Sequence, residues 1–138
     1  MEQTLLLIKP NVIQAKKIGA VISELEEKGI SIRNMKMETL TKERAEGFYE
    51  IHRGKPFFDQ LIRFMTSGPI VEMILEHDFC VEYVRDIIGH TDPQKAKGGT
   101  VRNLFGCTVT ANAVHASDSA KSAFRERCLL FELGGHVA

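Results

Sequence analysis

The sequence predicts an α+β domain in which a four-stranded antiparallel sheet, of the split β-α-β type, carries helices packed on one face. An apolar run at residues 4–8 is typical of a strand that is covered on both faces in the middle of a sheet. Strand-like and helix-like segments follow in the order β-α-β-α-α-β-α-loop-β-α-β, with one helical segment doubled. The 138 residues contain no repeat or linker-like stretch, which predicts a single domain over residues 1–138. A parallel doubly wound sheet is the alternative.

The first half of the chain begins with that strand, which ends where Pro10 removes a backbone donor. A helix is expected next, because apolar residues recur at helical spacing up to Gly29, a typical C-cap. Residues 30–40 have the pattern of a strand, and a change in apolar parity predicts a bulge near residues 33–34. Thr41 is a typical N-cap for the helix that follows.

In the second half, residues 57–65 have the apolar spacing of a helix and residues 70–75 the apolar density of a strand. Residues 81–88 predict another helix, and the polar segment 91–99 is longer than most connections in a compact domain. Loops of that length usually bind or cover something. The remaining predicted elements are a helical turn at 100–105, a strand at 107–114, a helix at 119–126, a short strand at 129–131 and a loose tail from Gly134.

Composition narrows the classes of function. The 18 Lys and Arg residues balance 18 Asp and Glu residues, so the chain lacks the basic field that drives non-specific binding to nucleic acid or membranes. Cys80, Cys107 and Cys128 are an odd number and widely separated, which argues against a disulfide framework and favours a reducing compartment. No segment has the pattern of a signal peptide or membrane span, so we expect a cytoplasmic protein.

His115 is the residue best placed for chemistry. It lies among small residues at the predicted start of a helix, where a bulky anion has room, and imidazole is a nucleophile or base near neutral pH. If the helix begins near Ser119, the carboxylate of Glu126 faces back and fixes the tautomer of the ring. A lone histidine is more often structural, and Glu126 also fits a surface charge, so the spacing leaves both interpretations open.

Three basic residues, Lys9, Arg85 and Arg102, each lie at or near the end of an element beside a loop, as a phosphate clamp requires. Solvated surface charge is the default alternative for each. Phe57 follows a proline at a helix start and suits either stacking on a base or a place in the core. The chain has neither a P-loop nor a dinucleotide-binding glycine pattern, and its histidines lack metal-ligand spacing.

A series of short motifs covers almost the whole chain. In order they are Leu7-Ile8-Lys9-Pro10, Tyr49 followed by Pro56-Phe57-Phe58, Ser67-Gly68-Pro69, Gly89-x-Thr91-Asp92-Pro93, Gly99-Thr100-Val101-Arg102 and Asn112-x-x-His115-x-Ser117-Asp118-Ser119. In this order and spacing the chain resembles the nucleoside diphosphate kinase family. The resemblance implies a ferredoxin-like α+β sandwich and transfer of a γ-phosphoryl group from a nucleoside triphosphate to a nucleoside diphosphate. It also implies a ping-pong route through a phosphohistidine that maintains NTP and dNTP pools.

The resemblance further implies roles for residues. His115 is the nucleophile, Glu126 holds its other ring nitrogen, and Ser117 supports both. The implied phosphate and active-site ligands are Lys9, Tyr49, Arg85, Thr91 and Arg102, with Lys9 and Asn112 also reaching the ribose, and Phe57 and Val109 sandwich the base near Leu61. Mg²⁺ is expected to arrive on the nucleotide phosphates. The implied partners are ATP, other NTPs, NDPs and dNDPs, and further copies of the chain in a tetramer or hexamer.

Some positions depart from the family pattern. Ala116 replaces a frequent Gly, Gly98 a frequent Pro, Leu104 a frequent acid and Asp92 the usual Asn, while the short segment after Glu126 resembles bacterial members. None of these positions carries an expected chemical role. Two other classes of function stay open, a non-catalytic ligand-sensing module on the same fold and nucleic-acid binding as a secondary activity.

Overall fold

In the computed structural model, which describes residues 1–131, four strands form one antiparallel sheet in the spatial order β2-β3-β1-β4. The strands are β1 (Glu2–Ile8), β2 (Ser31–Glu38), β3 (Ile70–His77) and β4 (Val114–Ala116). Strand β1 pairs antiparallel with both β3 and β4. The antiparallel prediction is therefore confirmed, and the parallel alternative is wrong.

Helices and turns connect the strands. They are α1 (Pro10–Gln14), α2 (Ile18–Glu27), α3 (Lys42–Phe48), α4 (Phe58–Met65), α5 (Cys80–Ile88), α6 (Val101–Phe105) and α7 (Ala120–Leu130), with 3₁₀ turns at Glu50–His52 and Pro93–Lys95. Thr41 caps α3 by accepting a hydrogen bond from the Arg44 amide at 3.2 Å, as predicted. The register of β2 shifts between Ile32 and Asn34, which confirms the predicted bulge. No helix within residues 1–131 is long and apolar enough to cross a membrane.

Two predicted strands are wrong. Residues 107–113 form a loop, and β4 begins only at Val114. Residues 129 and 130 continue α7, because Leu130 lies seven residues after the buried Ala123 and packs on the same helix face, whereas Leu129 is exposed. Apolar density alone does not separate these arrangements. The tail expected from Gly134 lies outside the described residues.

Helices cover both faces of the sheet, and the predicted one-sided packing is wrong. Leu6 and Ile8 pack in one core cluster with residues of α2 and α5, while Leu5 and Leu7 pack in a second with residues of α3 and α4. All four are fully buried. This explains the uninterrupted apolar run, because a strand covered on both faces needs apolar residues at both parities.

Glu72 interrupts the apolar pattern of β3. Its side chain is fully buried, and neither carboxylate oxygen has a hydrogen-bond partner among the described residues. Lys36 Nζ lies 3.5 Å from one of these oxygens, and the Glu38 carboxylate, held by Arg44, is close by. Burial, and then the neighbouring carboxylate of Glu38, raise the pKa of Glu72 to about 8.

We expect Glu72→Gln to stabilise the protein in a pH-dependent way. The unfolded chain loses the Glu72 proton near the ordinary glutamate pKa of 4.5, whereas the folded chain keeps it up to about pH 8. The free energy of unfolding of the wild type therefore falls as pH rises through this window. The variant should match the wild type at about pH 4 and exceed it by at least about 1 kcal/mol at pH 8, measured by urea unfolding.

Glu76→Gln is the matched control, since it removes a partly exposed carboxylate from the same strand, where Glu76 pairs with Arg33 at 3.2 Å. If the free energies of unfolding of the wild type and Glu72→Gln differ by a constant amount from pH 4 to pH 8, Glu72 does not carry the proton that we assign to it in the folded chain.

Candidate active site

A cavity of about 810 Å³ lies beside the ends of β1 and β4. It brings together eleven of the twelve site residues predicted from the sequence. These are Lys9, Tyr49, Phe57, Leu61, Arg85, Thr91, Arg102, Val109, Asn112, His115 and Glu126. The twelfth, Ser117, is buried and contacts Glu126. Residues from Lys9 to Glu126 thus converge on one space large enough for a small-molecule ligand.

His115 is held by hydrogen bonds from outside its strand. It lies on β4 opposite Leu7, and its Nε2 is 2.8 Å from Glu126 Oε1. The Ser117 hydroxyl donates to the same oxygen at 2.7 Å. Because an ionised carboxylate only accepts, Nε2 carries the proton and Nδ1 carries the lone pair. Glu126 is therefore a partner of the ring, and the surface-charge interpretation is wrong for it.

Aromatic side chains pack against the imidazole ring of His115. Phe48 and Tyr49 meet its ring edge-on, with centroid distances of 5.0 and 5.8 Å. His52 stacks on Tyr49, and Phe57 lies edge-on to His52 at 5.2 Å. The Tyr49 hydroxyl is buried without a hydrogen-bond partner in the described residues, and burial raises its pKa. Tyr49 is therefore a protonated donor at neutral pH.

Lys9 is a buried cation at the end of β1. Its backbone amide donates to the Ala113 carbonyl at 2.8 Å, and its Nζ donates to the Thr110 carbonyl at 3.1 Å. Both bonds attach the strand end to the loop before β4. Burial, and then the charge of Arg102, lower the pKa of Lys9 to about 7.

Arg102 and Arg85 complete a group of three cations. Arg102 donates to the carbonyls of Gly89 at 3.0 Å and Val114 at 2.9 Å, and Arg85 donates to the Ala116 carbonyl at 3.3 Å. Burial, and then the charge of Arg85, lower the pKa of Arg102 to about 10. None of the three forms an ion pair with an acidic side chain within residues 1–131. Like charges gathered without a counter-ion predict an anionic ligand.

The other predicted residues supply polar and apolar contacts. Asn112 Nδ2 donates to the Thr91 carbonyl at 2.9 Å, while its buried Oδ1 has no partner in the described part of the chain. Phe57 and Val109 are 43% and 55% exposed, and both line the cavity. Leu61 is buried behind them in the core. The cavity therefore offers an apolar part beside its cationic part.

The positions that depart from the family pattern do not obstruct the cavity. Asp92 caps the turn Pro93–Lys95 by accepting from the Gln94 amide at 3.0 Å. Leu104 is exposed, and Ala116 is buried with its small side chain at the cavity wall. Asp92 thus supports a turn at this position, as Asn also can.

Within residues 1–131, no group of three or more His, Cys, Asp or Glu side chains is placed to hold a metal ion. The charged groups that line the cavity from β1, α5 and α6 are Lys9, Arg85 and Arg102. These groups fit phosphate oxygens.

Several lining residues escaped prediction from the sequence. They are Phe48, Glu50, Ile51, His52, Thr110, Ala116, Asp118, Lys121, Ser122 and Arg125. A helical-spacing argument from Glu126 would have found Ser122, which lies one turn earlier on α7. The sequence pattern around Phe48 is that of a core residue. The contact of Arg125 with α3 joins residues far apart in the chain, so spacing within α7 does not predict it.

Comparison with known proteins gives one family. The family model for nucleoside diphosphate kinase matches residues 2–134. A nucleoside diphosphate kinase from Staphylothermus marinus is 51% identical over 131 residues, covering 95% of this chain and 93% of that protein. One from Kosmotoga olearia is 51% identical, covering 96% and 90% respectively. The crystal structure of the Aquifex aeolicus nucleoside diphosphate kinase superposes with a TM-score of 0.92 at 39% identity, covering 94% of each chain.

We expect Gly89→Ala to destabilise the site. Gly89 has φ +89°, and a Cβ there would lie 2.5 Å from Thr100 Oγ1, so the backbone that presents its carbonyl to Arg102 must move. The free energy of unfolding should fall by roughly 1–3 kcal/mol in urea titrations. Gly98→Ala is the control, because nothing lies within 4 Å of its Cβ position. Equal stability of the two variants would contradict this account.

Proposed function

We propose, on the premise that this chain belongs to the nucleoside diphosphate kinase family, that it transfers phosphoryl groups in two steps through a phosphohistidine at His115. The observation that carries the proposal is the contact between Nε2 and Glu126 at 2.8 Å. It leaves the Nδ1 lone pair as the nucleophile. The two steps divide one transfer between nucleotides into two displacements at the same atom.

In the first step, Nδ1 attacks the γ-phosphorus of a nucleoside triphosphate. The Nδ1–P bond forms while the bond from phosphorus to the bridging oxygen breaks, and the nucleoside diphosphate leaves with that electron pair. The ring gains positive charge, which the carboxylate of Glu126 stabilises across the Nε2–H bond. A second nucleoside diphosphate then reverses the step, and its terminal oxygen takes the phosphoryl group. The proposed consequence for the cell is maintenance of NTP and dNTP pools.

The cations align the phosphates and stabilise the transferring group. A loose transition state spreads negative charge over equatorial oxygens, so positioning and charge supply most of the acceleration. Lys9, Arg85 and Arg102 are the proposed ligands for that charge, and their lack of acidic partners within residues 1–131 supports this role. Tyr49 and Thr91 are the proposed hydroxyl donors. Mg²⁺ is proposed to enter with the nucleotide phosphates as part of the substrate.

The remainder of the nucleotide fits the apolar part of the cavity. Phe57 and Val109 are proposed to sandwich the base beside Leu61, because both offer exposed apolar surface there. Lys9 and the Oδ1 of Asn112 are proposed to bind the ribose hydroxyls. The proposed contacts are to phosphate and sugar more than to the edge of the base, which supports a broad range of NTP, NDP and dNDP substrates.

We also propose that the chain acts as one domain over residues 1–138, assembles as a homo-oligomer, and works in the cytoplasm.

The edge of the sheet supports the homo-oligomer. Strand β2 pairs only with β3 among residues 1–131, and its Met35 and Met37 side chains are 52% and 54% exposed. Natural proteins rarely leave such an edge uncovered, which supports a second copy there. Sedimentation equilibrium distinguishes a tetramer from a hexamer.

The deciding experiment is incubation with γ-³²P-labelled ATP. We expect the wild type to acquire one acid-labile label per chain, His115→Asn to acquire none, and Glu126→Gln to label at least about tenfold more slowly. Added nucleoside diphosphate should remove the label from the protein, and the label should then appear in a nucleoside triphosphate. A wild type that fails to label, or full turnover by His115→Asn, would exclude the mechanism and leave a ligand-sensing role for the site.

We further expect nucleotide binding to take up a proton. Free Lys9, with a pKa of about 7, is mostly neutral at pH 8, and a bound phosphate favours its charged form. ADP titrations by calorimetry at pH 8, in buffers of different ionisation enthalpy, should therefore show an uptake of up to about one proton per site.

Lys9→Arg is the matched control. A guanidinium is already charged at pH 8 before the nucleotide binds, so this variant keeps the positive charge and should take up no proton there. Equal proton uptake by wild type and Lys9→Arg would contradict the assignment to Lys9.

A further inference from the structure

The aromatic boundary of His115 depends on the end of a short helix. Phe48 is the last residue of α3, and Tyr49 is its C-cap. Both are buried against the imidazole, at ring distances of 5.0 and 5.8 Å. The orientation of the His115 ring therefore depends on where α3 ends, as well as on Glu126.

That helix end has an unusual partner. The last carbonyls of a helix have no donor within the helix, and α3 carries no basic residue in its last turn. Arg125 of α7 supplies the donors, with Nη2 at 2.7 Å from the Gly47 carbonyl and Nη1 at 3.2 Å from the Phe48 carbonyl. A charged, planar guanidinium suits two neighbouring acceptors at the negative end of a helix.

Arg125 is also the neighbour in sequence of Glu126. Successive side chains on a helix point in different directions, so one turn of α7 reaches two elements. Glu126 binds Nε2 of His115, while Arg125 holds the residues that pack on the same ring. The imidazole thus lies between two contacts that originate from consecutive residues.

We infer that Arg125 is a positioning residue for phosphoryl transfer, which holds the end of α3 so that Phe48 and Tyr49 fix the plane of His115. This inference rests on the phosphohistidine route proposed above. Without the guanidinium, water would replace the two donors and the α3 end would be free to shift. A displacement of about 1 Å at a reacting group costs up to about a hundredfold in rate, even when ligand binding is unchanged.

The guanidinium also lines the cavity, so a direct contact with phosphate is the alternative to be tested. The two roles differ in what they change. A positioning residue affects only the rate at saturating nucleotide, whereas a ligand of the bound phosphates also affects the concentration needed for saturation.

The experiment measures single-turnover phosphorylation of His115 by γ-³²P-labelled ATP over a range of ATP concentrations. We expect Arg125→Met to lower the maximal rate about ten- to a hundredfold and to leave the half-saturating concentration within about twofold. Arg125→Lys keeps the charge and one donor group, and should recover part of the rate. Arg127→Met is the control on the same helix, because Arg127 donates to Gln3 Oε1 at 2.6 Å, away from the ring.

Each other outcome overturns the inference in a distinct way. A half-saturating concentration raised by more than about twofold identifies a phosphate ligand, whether or not the maximal rate also falls. Equal losses in Arg125→Met and Arg127→Met identify general destabilisation of α7, which thermal unfolding of both variants would register. A wild type that does not label at all overturns the proposed function itself, whereas wild-type labelling with an unaffected Arg125→Met overturns only the positioning role.

Discussion

The contact between His115 and Glu126 is the interaction on which the site depends. It joins β4 to α7 and requires that α7 fold back across the sheet face that β4 shares with β1. An imidazole without this partner would exchange tautomers, and Nδ1 would carry the proton, without a free lone pair, in part of the molecules. Ser117 strengthens the arrangement by donating to the same carboxylate oxygen, so the acceptor is fixed before a ligand arrives.

The buried basic residues of the site lower the stability of the fold. Lys9 and Arg102 are buried beside each other without an acidic partner among residues 1–131, and backbone carbonyls accept from their donors. Burial, and then the like charge of Arg102, disfavour the charged form of Lys9 in the folded chain, as its lowered pKa indicates. In the proposed function, a bound polyanion would relieve this repulsion, so the repulsion would add to the affinity for phosphate. The same two residues would then lower the stability of the free protein and favour the binding of its substrate.

Much of this organisation could be predicted from the sequence, and the reasons for the failures are specific. The central position of β1 followed from its uninterrupted apolar residues, and the capping by Thr41 followed from local chemistry. That same run implied helices on both faces, a consequence that the one-sided prediction missed. Leu130 was misassigned because a short apolar segment has no period of its own, and the helix emerges only when Ala123 and Glu126 are counted with it.

The residues of the site also divide into those that the sequence predicted and those that it did not. His115 and Lys9 lie in motifs whose order and spacing pointed to them, and the structure brings them to one cavity. The motifs did not identify Phe48, His52 or Arg125, because their contacts depend on how α3 and α7 pack and not on distance along the chain. Residues that touch a ligand tend to lie in recognisable motifs, since the ligand imposes the chemistry. Residues that hold those groups in place can be exchanged for any pair that packs equally well, so only the three-dimensional contacts reveal them.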